Sequence, residues 1–252
     1  VVLSVGPDEP SPPVWAGNTL LRLVPCGDGR CALARWSPAR GWALLTHVSG
    51  SLPPGPAKAC ALAVLQTEAC EETVVLSVGP AGVHALVLRP PSSCYAAGRL
   101  LGPEALCRHR AAVAALGGSR AMVVGGRGPF GSLTCATVVL QLGWGPPSAA
   151  FAGTSEPCRR LRTLSLAAAP LGDHARLPPC TEGHAALPLP AGTGVLVVGG
   201  SDDADLPGCP LRVIFADEAE PGPARPAVAC LPGPVRLRLL PCPARAPEHG
   251  LS

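Results

Sequence analysis

The chain has 252 residues, with 32 Pro, 30 Gly, 20 basic residues against 17 acidic ones, and a formal net charge of +3. Punctuation this dense excludes long helices and favours short strands joined by turns, and the length admits one large all-β domain or two small ones. The basic residues are scattered and not interleaved with aromatics, so no nucleic-acid footprint is visible in the charge pattern alone.

In chain order, apolar β runs that end in glycine recur, each followed by a loop and a second β run. The first is VVLSVGP at 1–7, ending at Gly6, with NTLLRLVP at 18–25. TVVLSVGP at 73–80, ending at Gly79, precedes VHALVLRP at 83–90. AMVVGGRG at 121–128 carries Gly125 and Gly126 and precedes ATVVLQLG at 136–143. VLVVGGSD at 195–202 carries Gly199 and Gly200 and precedes LRVIFAD at 211–217. A further strand is expected before the later pairs, at 60–66, 110–116 and 184–190, and after the first pair at 42–45.

Four strands per unit describe the blade of a β-propeller, an all-β fold. About four to five blades are recognisable in one propeller region, over units 1–56, 57–107, 108–179 and 180–244. The glycines would sit where the chain turns sharply near the channel mouth. Their uneven spacing implies insertions, placed at 26–38 and 149–179. Val1 opens in mid-strand and RAPEHG at 245–250 resembles the start of another unit, so a fragment cut at both ends, with an exposed edge, is expected.

Gly126-Arg127-Gly128-Pro129-Phe130-Gly131 spells G-x-G-x-x-G after an apolar run. A dinucleotide loop needs a helix next and an acid about 20 residues on. LTCATVVLQL follows instead, rich in β-branched residues; no acid appears between Gly131 and Ser155, and Pro129 removes a backbone donor. The motif therefore reads as a turn between strands.

Gly125-Gly126, Gly199-Gly200, the histidine His184 and the tryptophan Trp42 resemble the kelch repeat, which places Arg and His before the first strand, a double glycine after the second and Trp on the outermost. Gly6 and Gly79 match only the first glycine, the usual Tyr of the third strand is missing, and Arg110 stands near where a histidine is expected in the third unit. The resemblance implies a kelch-type propeller that binds through its loops. Ser119-Arg120 before VVGGR, and VLQL after it, are further similar to the kelch-like C-terminal region of the leucine carboxyl methyltransferase-like tRNA wybutosine-synthesizing family. That likeness implies an S-adenosylmethionine-dependent methyltransferase as the parent protein, its cofactor site outside this chain, and tRNA as the partner. Arg127, Arg159, Arg160 and Arg162 are then the candidate phosphate contacts; read by charge alone, 159–162 is a solvated loop. The alternative is a protein partner, as in the kelch adaptors of ubiquitin ligases.

Nothing in the sequence assembles catalysis. No G-x-S-x-G occurs, Ser4 and Ser77 lie in apolar strands, and the histidines are dispersed. Asp202-Asp203-Ala204-Asp205 lacks the ordered ligands of a calcium loop and reads as a solvated turn. No catalytic, metal or cofactor residues are therefore assigned. The 12 cysteines include no C-x-x-C pair, and several lie in apolar runs where a free thiol acts as a small hydrophobe. Reduced, mostly buried thiols and an intracellular, cytoplasmic setting are expected. No apolar run reaches the roughly 18 residues of a membrane span, so no membrane partner is expected.

Overall fold

The computed structural model describes residues 9–45, 47–66, 73–88, 94–100, 106–144, 164–171, 181–201, 211–216 and 228–230. The first sheet is the meander β1 (Val14–Ala16), β2 (Thr19–Pro25), β3 (Cys31–Ser37) and β4 (Gly41–Leu44). The second contains β5 (His47–Gly50), β6 (Ala61–Gln66), β7 (Thr73–Gly79), β8 (Gly82–Leu88) and β9 (Cys94–Arg99). The third is β10 (Ala112–Gly117), β11 (Arg120–Val124), β12 (Thr137–Trp144) and β13 (Leu164–Pro170). The fourth is β14 (Ala185–Pro188), β15 (Gly194–Val198), β16 (Leu211–Phe215) and β17 (Val228–Cys230).

Within each sheet the four consecutive strands pair antiparallel in chain order. Their first strands pack side by side, β1 against β6, β6 against β10 and β10 against β14. The sheets are thus four blades arranged as a β-propeller, with the first strand of each innermost. Strand β5 alone breaks the pattern: it crosses from blade one and pairs parallel to β9, His47 opposite Cys94 and Gly50 opposite Ala97, as a fifth strand of blade two.

The core lies between the blades, and the period-two alternation of side chains assigns each residue to one interface. In blade two, Val75 and Leu86 face Leu21, Leu23 and Leu33 of blade one. Their neighbours Val74, Leu76 and Val87 face Val113, Val123 and Leu140 of blade three. Met122 and Val124 turn the other way, onto Val195, Val197 and Ile214 of blade four. Strands covered on both faces read as unbroken apolar runs, which is why TVVLSVG and AMVV stood out. At about 25 cal/mol per Å² of apolar surface, these interfaces are the main source of stability. Tyr95, fully buried on β9, adds a polar tie: its hydroxyl accepts from the Leu33 N–H of blade one at 3.0 Å.

Three expectations change. The run 18–25, expected as the third strand of the first unit, is β2, the second strand of blade one, paired with β1 from Val14 opposite Leu21 to Ala16 opposite Thr19. The stretch 26–38, expected as an insertion, supplies β3, paired with β2 from Pro25 opposite Cys31 to Leu20 opposite Trp36. Arg35, Trp36 and Ser37 disguise it because only its Cys31–Ala34 part is fully buried. The stretch 149–179 supplies β13, which zips onto β12 from Val138 opposite Pro170 to Trp144 opposite Leu164. The run at 1–7 with Gly6, the arginines Arg159, Arg160 and Arg162, the Asp202–Asp205 run and 245–250 all lie outside the described residues.

Candidate functional site

The segments that lead into the innermost strands form a belt across the blades. Arg110 N–H donates to Ala59 O at 3.1 Å, and Gly183 N–H donates to Arg110 O at 3.0 Å, joining blades two, three and four. Ala59, Arg110 and Gly183 are therefore equivalent, and both Arg110 (φ 50) and Gly183 (φ 68) take the left-handed conformation. One residue before them, His109 and Glu182 make isolated bridges to Arg127 and Ser201 in the loops after the second strands. This register makes Ala111, rather than Arg110, the counterpart of His184.

The loop after β11 is closed by backbone bonds of its own. Gly128 N–H donates to Ser132 O, Gly131 N–H to Gly128 O, and Thr134 N–H to Gly126 O. A strand, β12, follows it. The G-x-G-x-x-G segment thus lies in a strand-to-strand turn, as the residues after it had implied. Phe130 stands at the tip, 93% exposed.

Arg127 holds this loop from inside. One terminal nitrogen donates to Gly131 O at 2.8 Å and its Nε to Glu182 Oε2 at 2.9 Å. The other carboxylate oxygen of Glu182 accepts from Arg110 at 3.1 Å. Glu182 is 9% exposed at its side chain and Arg110 57%, so a nearly buried acid on blade four pins two arginines of blade three, one of which still faces solvent. The cluster of two guanidiniums and one carboxylate keeps a formal charge of +1.

Beneath it two buried polar groups fix the frame. Arg108 donates to Gly125 O at 3.1 Å and to Ala136 O at 2.8 Å, clamping both ends of the loop. Burial lowers its pKa to about 10, so it is charged at neutral pH. His184 lies against Gly125 and its Nε2 donates to Val124 O at 2.9 Å; burial, more than any other cause, lowers its proton affinity. That bond assigns the proton of the neutral ring to Nε2.

The other repeat residues are packed around these turns. A Cβ on Gly125 would lie 2.6 Å from His184 Cε1, and one on Gly126 2.7 Å from His109 O. A Cβ on Gly79 would lie 2.7 Å from Cys60 Sγ. Gly199 has open space but a φ of 74°, and Gly200 meets His184 Cβ at 3.1 Å. Trp42 lies on β4, the outermost strand of blade one, with the Arg22 guanidinium 4.0 Å above its ring. Cys26, Cys31 and Cys60 are buried free thiols, and Cys107 and Cys135 are free and half-buried. Among the described residues no group of three His, Cys, Asp or Glu side chains is placed to hold a metal ion, and no helix is long and apolar enough to cross a membrane.

Arg127 stands out in the sequence from its loop, whereas the places of Glu182, Arg108 and Phe130 emerge only from the fold. The available signal was the parallel between CRHRAAV and TEGHAAL, two polar lead-ins before corresponding strands. Which acid met which arginine depended on the neighbouring blade.

No protein-family model matches the chain, and no curated protein matches its sequence. Among solved structures it is similar to one titled "Structure of YjhT", with 9% identity over 82% of this chain and 81% of that one and a TM-score of 0.42. The class the strand order and blade packing define is the β-propeller, a scaffold suited to binding.

Proposed function

We propose that this chain is a kelch-type binding module without catalysis of its own, and that its contact surface includes the 127–133 loop of blade three. The observation that carries this reading is the pairing of a fully exposed aromatic, Phe130, with a loop braced by Arg127 and Glu182. A solvent-exposed phenyl ring costs hydration and contributes nothing to the core, whereas a braced loop presents it with little entropy left to lose on binding. The partner we favour is tRNA, in the setting of a wybutosine-pathway methyltransferase whose S-adenosylmethionine site lies in another domain. The likeness of the SRAMVVGGR segment supports that setting. An exposed aromatic on a loop tied through Glu182 to the half-exposed Arg110 is also a platform for an unstacked base, as in an anticodon loop. A protein partner is the second reading, favoured because Glu182 already neutralises much of the charge on Arg127.

Fluorescence anisotropy of a labelled anticodon stem-loop with the wild-type chain tests the choice. Binding that weakens about tenfold in Phe130→Ala, as expected for loss of one stacked base, and that weakens further with salt supports the RNA reading. No measurable binding at low salt rejects RNA and leaves the protein-adaptor reading.

A further inference from the structure

Among the described residues, two buried free thiols meet where blades one and two join. Cys31 opens β3 and Cys60 stands immediately before β6, and both belong to the core these blades share. The connector between the blades brings them together. It is pinned to blade one by Cys31 N–H, which donates to Pro53 O at 2.8 Å, and by Gly55 N–H, which donates to Gly29 O at 2.9 Å. Two successive carbonyls of this connector then face the thiols: Cys31 Sγ stands 3.0 Å from Gly55 O, and Cys60 Sγ stands 3.7 Å from Pro56 O. The thiols are also in hydrogen-bonding contact with each other. That contact holds Cys60 below the ordinary thiol range against its burial, and together with burial pushes Cys31 up. Cys26 takes no part, because it belongs to the opposite face of blade one. The segment whose carbonyls the pair touches is itself at the surface, with Pro54, Pro56 and Lys58 exposed, and a short surface connector opens locally without unfolding the sheets it joins.

We propose that Cys31 and Cys60 are a paired oxidation site, which a small hydroperoxide closes into a disulfide between blades one and two. The Cys60 sulfur attacks one peroxide oxygen and the O–O bond breaks. The second oxygen leaves as water with the thiol proton, and Cys60 becomes a sulfenic acid. The Cys31 sulfur then attacks the Cys60 sulfur: an S–S bond forms, the S–O bond breaks, and the hydroxyl leaves with the Cys31 proton as a second water. Two electrons pass from the sulfurs to the peroxide oxygens, and no further co-reactant is needed. The product links residues far apart in the chain and restricts the unfolded state.

The whole chain, reduced and then freed of reductant, is treated with hydrogen peroxide in native buffer and mapped by mass spectrometry with and without dithiothreitol. A reducible link between the Cys31 and Cys60 peptides is the expected product. Cys31 and Cys60 both still open to alkylation after unfolding overturn the site, whatever happens at the less buried Cys107 and Cys135. A link from either to a third cysteine overturns the pairing. The oxidised chain should melt about 5–10 °C above the reduced one, and Cys31→Ala should show no such rise; an equal rise in that variant overturns the inter-blade link. Dimedone should trap a sulfenic acid on Cys60 in Cys31→Ala and none on Cys31 in Cys60→Ala, and the reverse pattern overturns the order of attack. If the variants fail to fold, the wild-type peptide map decides alone.

Discussion

Gly125 and Gly199 follow corresponding strands, yet alanine should cost them differently. At Gly125 the new methyl would press into His184 Cε1 at 2.6 Å and Thr181 O at 2.7 Å, so a loss of about 2–4 kcal/mol is expected. At Gly199 only the positive φ is strained, with an expected cost of about 1 kcal/mol. Urea denaturation of the two variants measures both, and equal losses would mean that His184 is not packed as described. His84 gives a pH signature. Burial first, then the Arg99 charge, lowers its pKa from 6.5 to about 4. Between those values the unfolded chain takes up a proton that the folded chain refuses. The contribution is complete above pH 6.5 and lost as pH falls toward 4, on the order of 3 kcal/mol. His184 acts in the same direction. Unfolding free energies from pH 7.5 to 4.5 should fall, and His84→Leu should flatten the slope; an unchanged slope in that variant would contradict the assignment.

At the scale of elements, the Glu182 ion pairs join blade four to the loop of blade three. Glu182→Gln should lower stability by about 1–3 kcal/mol, part of it screened at the exposed Arg110. It should also speed amide exchange in 127–133 while β10, β11 and β12 stay protected. Uniform exchange across loop and strands would show that the pairs do not brace the loop. In blades two to four the innermost strands and the strand pairs that follow them were legible in the sequence, because burial on both faces leaves uninterrupted apolar runs such as TVVLSVG; the three-residue β1 of blade one, only partly buried, was not. Strands β3 and β13 were not, since β3 runs outward through Arg35 and Trp36, and LSLAAAP sits in a stretch dominated by Pro, Ser and Gly. The parallel crossing of β5 has no local signal at all, because HVSG reads as a connector until β9 is beside it.

For the whole molecule, the order of blades followed from repeated motifs, while the site was only partly readable. Arg127 could be named from its loop, but its partner Glu182 lies on another blade, and such a cross-blade pairing is fixed by packing rather than by spacing. The belt from Ala59 through Arg110 to Gly183 has the same origin, being made of backbone bonds that any residue could supply. If the blade-three loop is the contact surface, a bound partner must protect it. Hydrogen exchange of the wild-type chain with and without a saturating anticodon stem-loop tests it most directly. Slowed exchange concentrated in 127–133 and around Arg110, with blade one unchanged, is the expected result. Bound RNA that protects blade one and leaves 127–133 unchanged would contradict it.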